Sequence, residues 1–191
     1  MYSVKSARPV IIVSGKIASG KTTFAHALAS ALDMKVASLG DEIRDITRRR
    51  GLPQIRESWQ SVGEDTVQNG AKEFCEAVLR RCDYVPGEGV VLEGLRHEKI
   101  LRLLRAMTAC SRMVHIHVTS TEDIRGTRRR KRGVAGDAEP SIEAHPAESQ
   151  LTYILPAFAD LVVDGSLSTE EMVRQTKAYL GAFLAPNQIG P

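Results

Sequence analysis

The stretch Gly15-Lys16-Ile17-Ala18-Ser19-Gly20-Lys21-Thr22 constrains this chain more than any other. It meets GxxxxGK[ST] at every specified position, between the apolar run Val10-Ile11-Ile12-Val13 and the alanine- and leucine-rich residues 24–32. A wholly apolar, β-branched run reads as a strand covered on both faces, as in the middle of a parallel sheet. Phe24, Leu28 and Leu32 share one face of a helix. The order strand, glycine-rich turn, helix gives the turn its chemistry. The glycines let successive backbone N–H groups point into one concavity, and the helix N-terminus adds partial positive charge. Lys21 then reaches the β- and γ-phosphates of a nucleoside triphosphate, and the Thr22 hydroxyl ligates the Mg²⁺ that bridges them. The expected phosphate-turn residues are Gly15, Ala18, Ser19, Gly20, Lys21, Thr22 and Thr23; Lys16 reads as a solvated loop lysine as readily as a phosphate ligand.

The rest of the chain continues the alternation. Strands are expected at 36–39, 90–92, 113–118 and 161–163, and helices at 41–50, 59–81, 97–108, from about 121, around 150–158 and 168–184. Asp41 is the expected N-cap of the second helix, while Ser120 with Asp123 and Ser168 with Glu171 resemble capping pairs. Such alternation implies an α/β fold with a parallel sheet, helices on both faces and right-handed crossovers. At 191 residues and 20.9 kDa the chain has room for one such domain and not for a large motor core. Cys75, Cys82 and Cys110 have no CxxC spacing; they read as small buried apolar residues of a protein kept in a reducing cytosol. No run approaches the roughly 20 apolar residues of a membrane span, and residues 1–9 lack the apolar core of a signal peptide.

The net charge of +3 argues against a long nucleic-acid track, but the cations divide into 18 Arg and 8 Lys. Arginine grips phosphate with two parallel bonds and keeps its proton, so the surplus points to local anion sites. Much of it falls in 44–56, 96–105 and 125–132.

Four short strings, with the phosphate turn, resemble the nucleoside monophosphate kinase group of phosphate-loop proteins, in particular dephospho-coenzyme A kinases and deoxynucleoside monophosphate kinases. They are Gly40-Asp41-Glu42-Ile43-Arg44 after the second strand; Arg56-Glu57-Ser58-Trp59-Gln60-Ser61-Val62-Gly63, similar to RxxxQxxG; Glu93-Gly94-Leu95-Arg96, similar to [DE]GxR; and Arg125, Arg128 and Arg132, similar to lid arginines. A guanine-specific NKxD string is absent. The resemblance spans residues 10–165 and implies a three-layer fold on a five-stranded parallel sheet of order 2-3-1-4-5. It further implies one kinase domain over 1–191, with an acceptor-binding helical region at about 40–84 and a lid at about 125–146. It implies ATP and Mg²⁺ as cofactors and a small-molecule phosphate acceptor, most readily a deoxynucleotide. A cytoplasmic monomer or homodimer with no membrane partner is expected, nucleic acid being disfavoured by the mild net charge.

Phosphoryl transfer needs two anions held in line and the charge on the moving group neutralised. Arg44, Arg56 and Gln60 are candidates for the acceptor, as is Arg96, which follows a strand's C-terminal end, where open parallel sheets place ligands. Arg125 and Arg128 are candidates for the nucleotide; Arg128 and Arg132, with Lys21, for the transferring group. The run from Arg128 to Arg132 also fits a basic surface helix or an RNA contact. Glu93 and Asp41 compete for the acid–base role, Glu93 also holding Mg²⁺ through water; a phosphate acceptor needs no base, and Asp41 then only orients. The resemblance implies that the loop Asp164-Gly165-Ser166 surrounds the adenine, largely through backbone groups. Trp59 reads as core or staple before a base-stacking platform. His97, His115, His117 and His145 show no metal pattern; His115 and His117 share a strand face, and His145 with Glu148 follows the Gly/Pro-rich loop. Two alternatives stay open: a hydroxyl kinase for dephospho-coenzyme A, a nucleoside or another small molecule, and a nucleotide-dependent regulatory or RNA-binding protein.

Overall fold

Five parallel strands form one sheet in the order β2-β3-β1-β4-β5 in the computed structural model, which describes residues 8–132 and 149–185. The strands are β1 (Val10–Gly15), β2 (Lys35–Ser38), β3 (Val90–Leu95), β4 (Met113–Thr119) and β5 (Leu161–Asp164). The helices are α1 (Lys21–Ala31), α2 (Leu39–Arg49), α3 (Arg56–Asn69), α4 (Ala71–Arg81), α5 (Glu98–Met107), α6 (Glu122–Arg132) and α7 (Thr169–Leu184); a π-helical turn, Gln150–Ile154, leads into a single α-turn before β5. The expected sheet order is the observed one. β1 lies between β3 and β4, pairing Ile12 with Leu92 and with His115.

The apolar run on β1 is covered on both faces, as its composition requires. Val10 and Ile12 pack with Phe74, Cys75 and Val78 of α4 and Ile100, Leu101 and Leu104 of α5. Ile11 and Val13 pack with Phe24 and Leu28 of α1 and Met172 and Leu180 of α7. This is the period-two division of a strand between two layers. Burial pushes the Cys75 thiol up to about 12, so it serves as packing; Cys82 is buried too, but Cys110, expected inside, is exposed in the turn after α5.

Three local expectations are corrected. The helix expected at 59–81 is two, broken at Gly70, whose φ of −149° and ψ of 31° leave the helical region. The second helix begins at Leu39, and its cap is Ser38, whose hydroxyl accepts from the Asp41 N–H; Asp41 therefore sits in the first turn. Ser120 does not cap α6: its hydroxyl is buried and makes no hydrogen bond among the described residues. Ser168 does cap α7, accepting from the Glu171 N–H.

Candidate active site

The phosphate turn is shaped by three residues at positive φ: Gly15 (151°), Ala18 (62°) and Gly20 (97°). Gly15 has no room for a side chain, since a Cβ would come within 2.6 Å of the Val118 carbonyl oxygen and 2.7 Å of Ser19 Oγ. Gly20 is the N-cap of α1 and has no side chain to cap it, so the helix presents its first turn of N–H groups and its positive end to the concavity. Lys21 opens α1 almost fully buried, its ammonium 3.4 Å from the Lys16 carbonyl oxygen. Thr22 is exposed, and its hydroxyl donates to Glu93 Oε2 at 3.1 Å; Thr23 is exposed beside it. Glu93 itself is buried, on β3, where a bulge at Gly94 (φ 89°) shifts the pairing so that Val13 faces Glu93 and Ser14 faces Leu95. A hydroxyl and a buried carboxylate at this spacing are hard oxygen donors that suit Mg²⁺. No cluster of three His, Cys, Asp or Glu residues is present among the described residues, so such an ion would also depend on the phosphates of the nucleotide.

Beneath the turn lies a buried polar chain. Ser14 Oγ sits 2.7 Å from His115 Nε2 and 2.7 Å from His117 Nδ1, and His115 Nδ1 lies 3.1 Å from the Phe158 carbonyl oxygen. That carbonyl only accepts, so His115 carries its proton on Nδ1 and accepts a hydrogen bond from the Ser14 hydroxyl at Nε2; His117 then donates from Nδ1 to the Ser14 oxygen. Both imidazoles are held neutral. Desolvation is the main cause, lowering His117 to about 4 and His115 in the same direction, with Lys21 and Lys16 adding to the effect on His117. A pH dependence follows. The fold holds the neutral form, so the stabilisation is complete above the ordinary imidazole value of 6.5 and is lost as pH falls toward about 4. The melting temperature is expected to decline across that window, with about 3 kcal/mol assigned to His117. Thermal melts from pH 7.5 to 4 check it: His117→Gln should flatten the slope, and an unchanged slope would place the dependence elsewhere.

On the nucleotide side, Arg125 and Arg128 turn toward the phosphate turn. Arg125 is buried, donates to the Ile17 carbonyl oxygen at 3.4 Å and pairs with Glu122. Arg128 donates to the carbonyl oxygens of Ala18 (3.3 Å), Ser19 (3.1 Å) and Gly165 (2.8 Å). The structure thus brings α6, the turn and the loop after β5 together at one point. The side chain of Arg132, and all of His145 and Glu148, lie outside the described residues, as does most of the expected lid.

On the acceptor side a cavity of about 170 Å³ opens between the turn, α2, α3 and the end of β3. Lys21, Thr22 and Glu93 stand on its wall with four of the expected acceptor residues, Arg44, Arg56, Gln60 and Arg96. Asp41 does not line it; its exposed carboxylate accepts from Arg44. Trp59 departs from its expected place in the core. It lines the cavity, with the Arg44 and Arg56 guanidinium carbons 5.3 Å and 5.4 Å from its ring centroid and its Nε1–H donated to Gln54. Sequence reasoning missed Thr66, Phe74 and His97, which also line the cavity; His97 lies 3.7 Å from Glu64 and contacts Gln150. For Thr66 the only signal in the sequence was its position ten residues after Arg56, on the same helical face.

A phosphate turn on the central strand of a 2-3-1-4-5 sheet places this chain in the phosphate-loop kinase fold group. The family model described as AAA domain, AAA_18, matches residues 11–148, and the chain belongs to that family. Over 90 residues it is 32% identical to a UPF0200 protein of Aeropyrum pernix; the match covers 47% of each protein, so the chain spans about half the length of that curated relative. Similar solved structures include a putative kinase from Chloroflexus aurantiacus (TM-score 0.61, 20% identity, 93% of this chain and 98% of that one). Another is the shikimate kinase of Acinetobacter baumannii in complex with shikimate (0.60, 15%, 97% and 97%). A third is a sugar kinase from Janibacter sp. (0.58, 20%, 94% and 96%). At these identities the likeness is one of fold. Among the described residues no helix is long and apolar enough to cross a membrane.

Proposed function

We propose that this chain is an ATP- and Mg²⁺-dependent phosphotransferase that moves the γ-phosphoryl group of ATP to a nucleoside monophosphate, with a deoxynucleotide as the preferred acceptor. One observation carries this: Arg44 and Arg56 are stacked on Trp59 in the same cavity whose wall holds Lys21, Thr22 and Glu93. Guanidiniums fixed in this way suit a phosphate-bearing acceptor, since stacking limits the rotamers they must lose and a phosphate dianion offers them more charge and more oxygens than the single carboxylate of shikimate or gluconate.

In this scheme the backbone N–H groups of 15–22 and Lys21 hold the β- and γ-phosphates. Thr22, and Glu93 through water, would hold the Mg²⁺ ion, which would supply neutralising charge to those phosphates. Arg44, Arg56 and Arg96 hold the acceptor's phosphate, Gln60 contacts its nucleoside, and Asp41 orients Arg44. Arg125 keeps the turn in shape, while Arg128 and Arg132 bring positive charge to the transferring group on closure. A phosphate oxygen is already ionised, so no general base is required.

An ADP-release assay over ribo- and deoxynucleoside monophosphates, dephospho-coenzyme A, shikimate and gluconate tests this. Turnover is expected with at least one deoxynucleoside monophosphate, and none with shikimate or gluconate. Glu93→Gln should raise the Mg²⁺ concentration needed for half-maximal rate yet keep measurable transfer. Turnover only with hydroxyl acceptors, abolished by Glu93→Gln, would establish a hydroxyl kinase instead; no turnover with any acceptor would sink the phosphotransferase reading.

A further inference from the structure

One face of α3 lines the acceptor cavity along three turns: Arg56, Trp59, Gln60, Gly63, Thr66 and Val67. At 1.5 Å per residue, Arg56 and Thr66 are about 15 Å apart along the axis, enough for a molecule the length of a nucleotide. The two guanidiniums mark the Arg56 end. At the other end Thr66 is only 6% exposed, on a wall shared with Phe74.

The Thr66 hydroxyl has no hydrogen-bond partner among the described residues, and neither has Nε2 of Gln60, one helical turn and a half before it; both atoms are shielded from solvent. A buried helical threonine ordinarily returns its hydroxyl to the carbonyl four residues back. Thr47 does so to Ile43 at 2.7 Å and Thr108 to Leu104 at 2.8 Å. Thr66 does not. Ser19, Ser120 and Thr176 also carry buried hydroxyls without partners, but Thr66 alone of the four lines this cavity. A valine of the same shape would avoid the penalty of the unmade bond, and the cavity beside Thr66 is where a ligand would supply the missing partner.

We infer that the Thr66 hydroxyl is a specificity-determining group that, with the Gln60 amide, reads the hydrogen-bonding edge of a flat heteroaromatic ring carried by the acceptor. The inference rests on this cavity being the acceptor site. Gln60 Nε2 only donates, so the ring must present a carbonyl oxygen or an unprotonated ring nitrogen there; the Thr66 hydroxyl both donates and accepts and suits an adjacent polar substituent. The walls of Trp59, Phe74, Ile43 and Val67 favour a flat aromatic body over an alicyclic polyol.

Trp59 is the only tryptophan in the chain and lines the same cavity, so its emission reports occupancy without turnover. Wild type, Thr66→Val and Thr66→Ser are titrated with the four common deoxynucleoside monophosphates and with 2-deoxyribose 5-phosphate, which keeps sugar and anion but lacks the ring. Thr66→Val is expected to weaken the best base-bearing ligand about tenfold and to leave the ring-less phosphate unchanged. Thr66→Ser keeps wild-type selectivity, and Thr66→Val melts at or above the wild-type temperature. If the valine variant unfolds, Thr66→Ala carries the same binding expectations. Unchanged binding of every base, or an equal loss for the ring-less phosphate, overturns the inference. If wild-type emission responds to no monophosphate at all, the acceptor-site reading fails first, and the role of Thr66 falls with it.

Discussion

Lys21→Met is expected to lower phosphoryl transfer by about a thousandfold while the melting temperature changes little. The two outcomes separate because the side chain has two parts. Its methylenes are buried at the start of α1, and methionine replaces them with an apolar chain of similar reach. Its ammonium lies 3.4 Å from the Lys16 carbonyl oxygen, on the wall of the acceptor cavity. Its positive charge counts most as negative charge moves between the β- and γ-groups, and methionine removes that charge. Single-turnover transfer from ATP to the best acceptor, measured beside a thermal melt, checks both halves. Turnover within tenfold of wild type would remove Lys21 from the chemistry; a melt lowered by more than about 5 °C would make it a structural residue instead.

Where the sequence was legible, a local requirement left a local mark. The phosphate turn needs positive φ and close backbone approach, and glycines at 15 and 20 meet both needs within eight residues. A strand buried on both faces has no polar side, so Val10-Ile11-Ile12-Val13 declares itself. The order 2-3-1-4-5 came through resemblance, because alternation of strands and helices leaves the sheet order open. The break at Gly70 was hidden by helix-favouring residues on both sides; a single glycine costs a helix only about 1 kcal/mol and need not end it. At the second helix both Ser38 and Asp41 are cap-forming residue types three apart, and the sequence alone does not show that the serine is the one that caps.

The site was harder for a different reason. Trp59 on a mixed helix looks like core, and its place beside the cavity depends on how α2 docks against α3 to bring Arg44 over the ring. Ser14 is one polar residue at the end of an apolar strand, and its partners are 101 and 103 residues away. Periodicity carries no information about such pairings, which arise only when β1 and β4 come into register with Ser14 opposite His117.

Gly165 shows how far one such pairing reaches, and Gly165→Ala is expected to cost about 3 kcal/mol of stability and most of the nucleotide affinity. Its N–H donates to the Thr119 carbonyl oxygen at 2.7 Å, and its own carbonyl accepts from Arg128 at 2.8 Å. A Cβ would stand 2.2 Å from the Ser19 carbonyl oxygen, 2.7 Å from that of Thr119 and 2.9 Å from Val118 Cγ1. Two of these are backbone atoms and the third belongs to a buried strand, so no flexible side chain can yield. The loop after β5 must lift from the phosphate turn, and Arg128 then loses either Gly165 or the carbonyls of Ala18 and Ser19. Either loss loosens the turn that has to be preorganised for phosphate, so affinity falls with stability. In a chain of this size the cost corresponds to a melting temperature lower by about 10 °C. Gly181→Ala is the control: it lies within α7, a Cβ there meets nothing within 4 Å, and alanine should stabilise that helix by about 0.5–1 kcal/mol. Melts of both variants, with ATP titrations followed by calorimetry, decide the matter. A Gly165→Ala protein that melts within about 2 °C of wild type and binds ATP equally well would show that the contact between this loop and the turn is not needed to shape the nucleotide site.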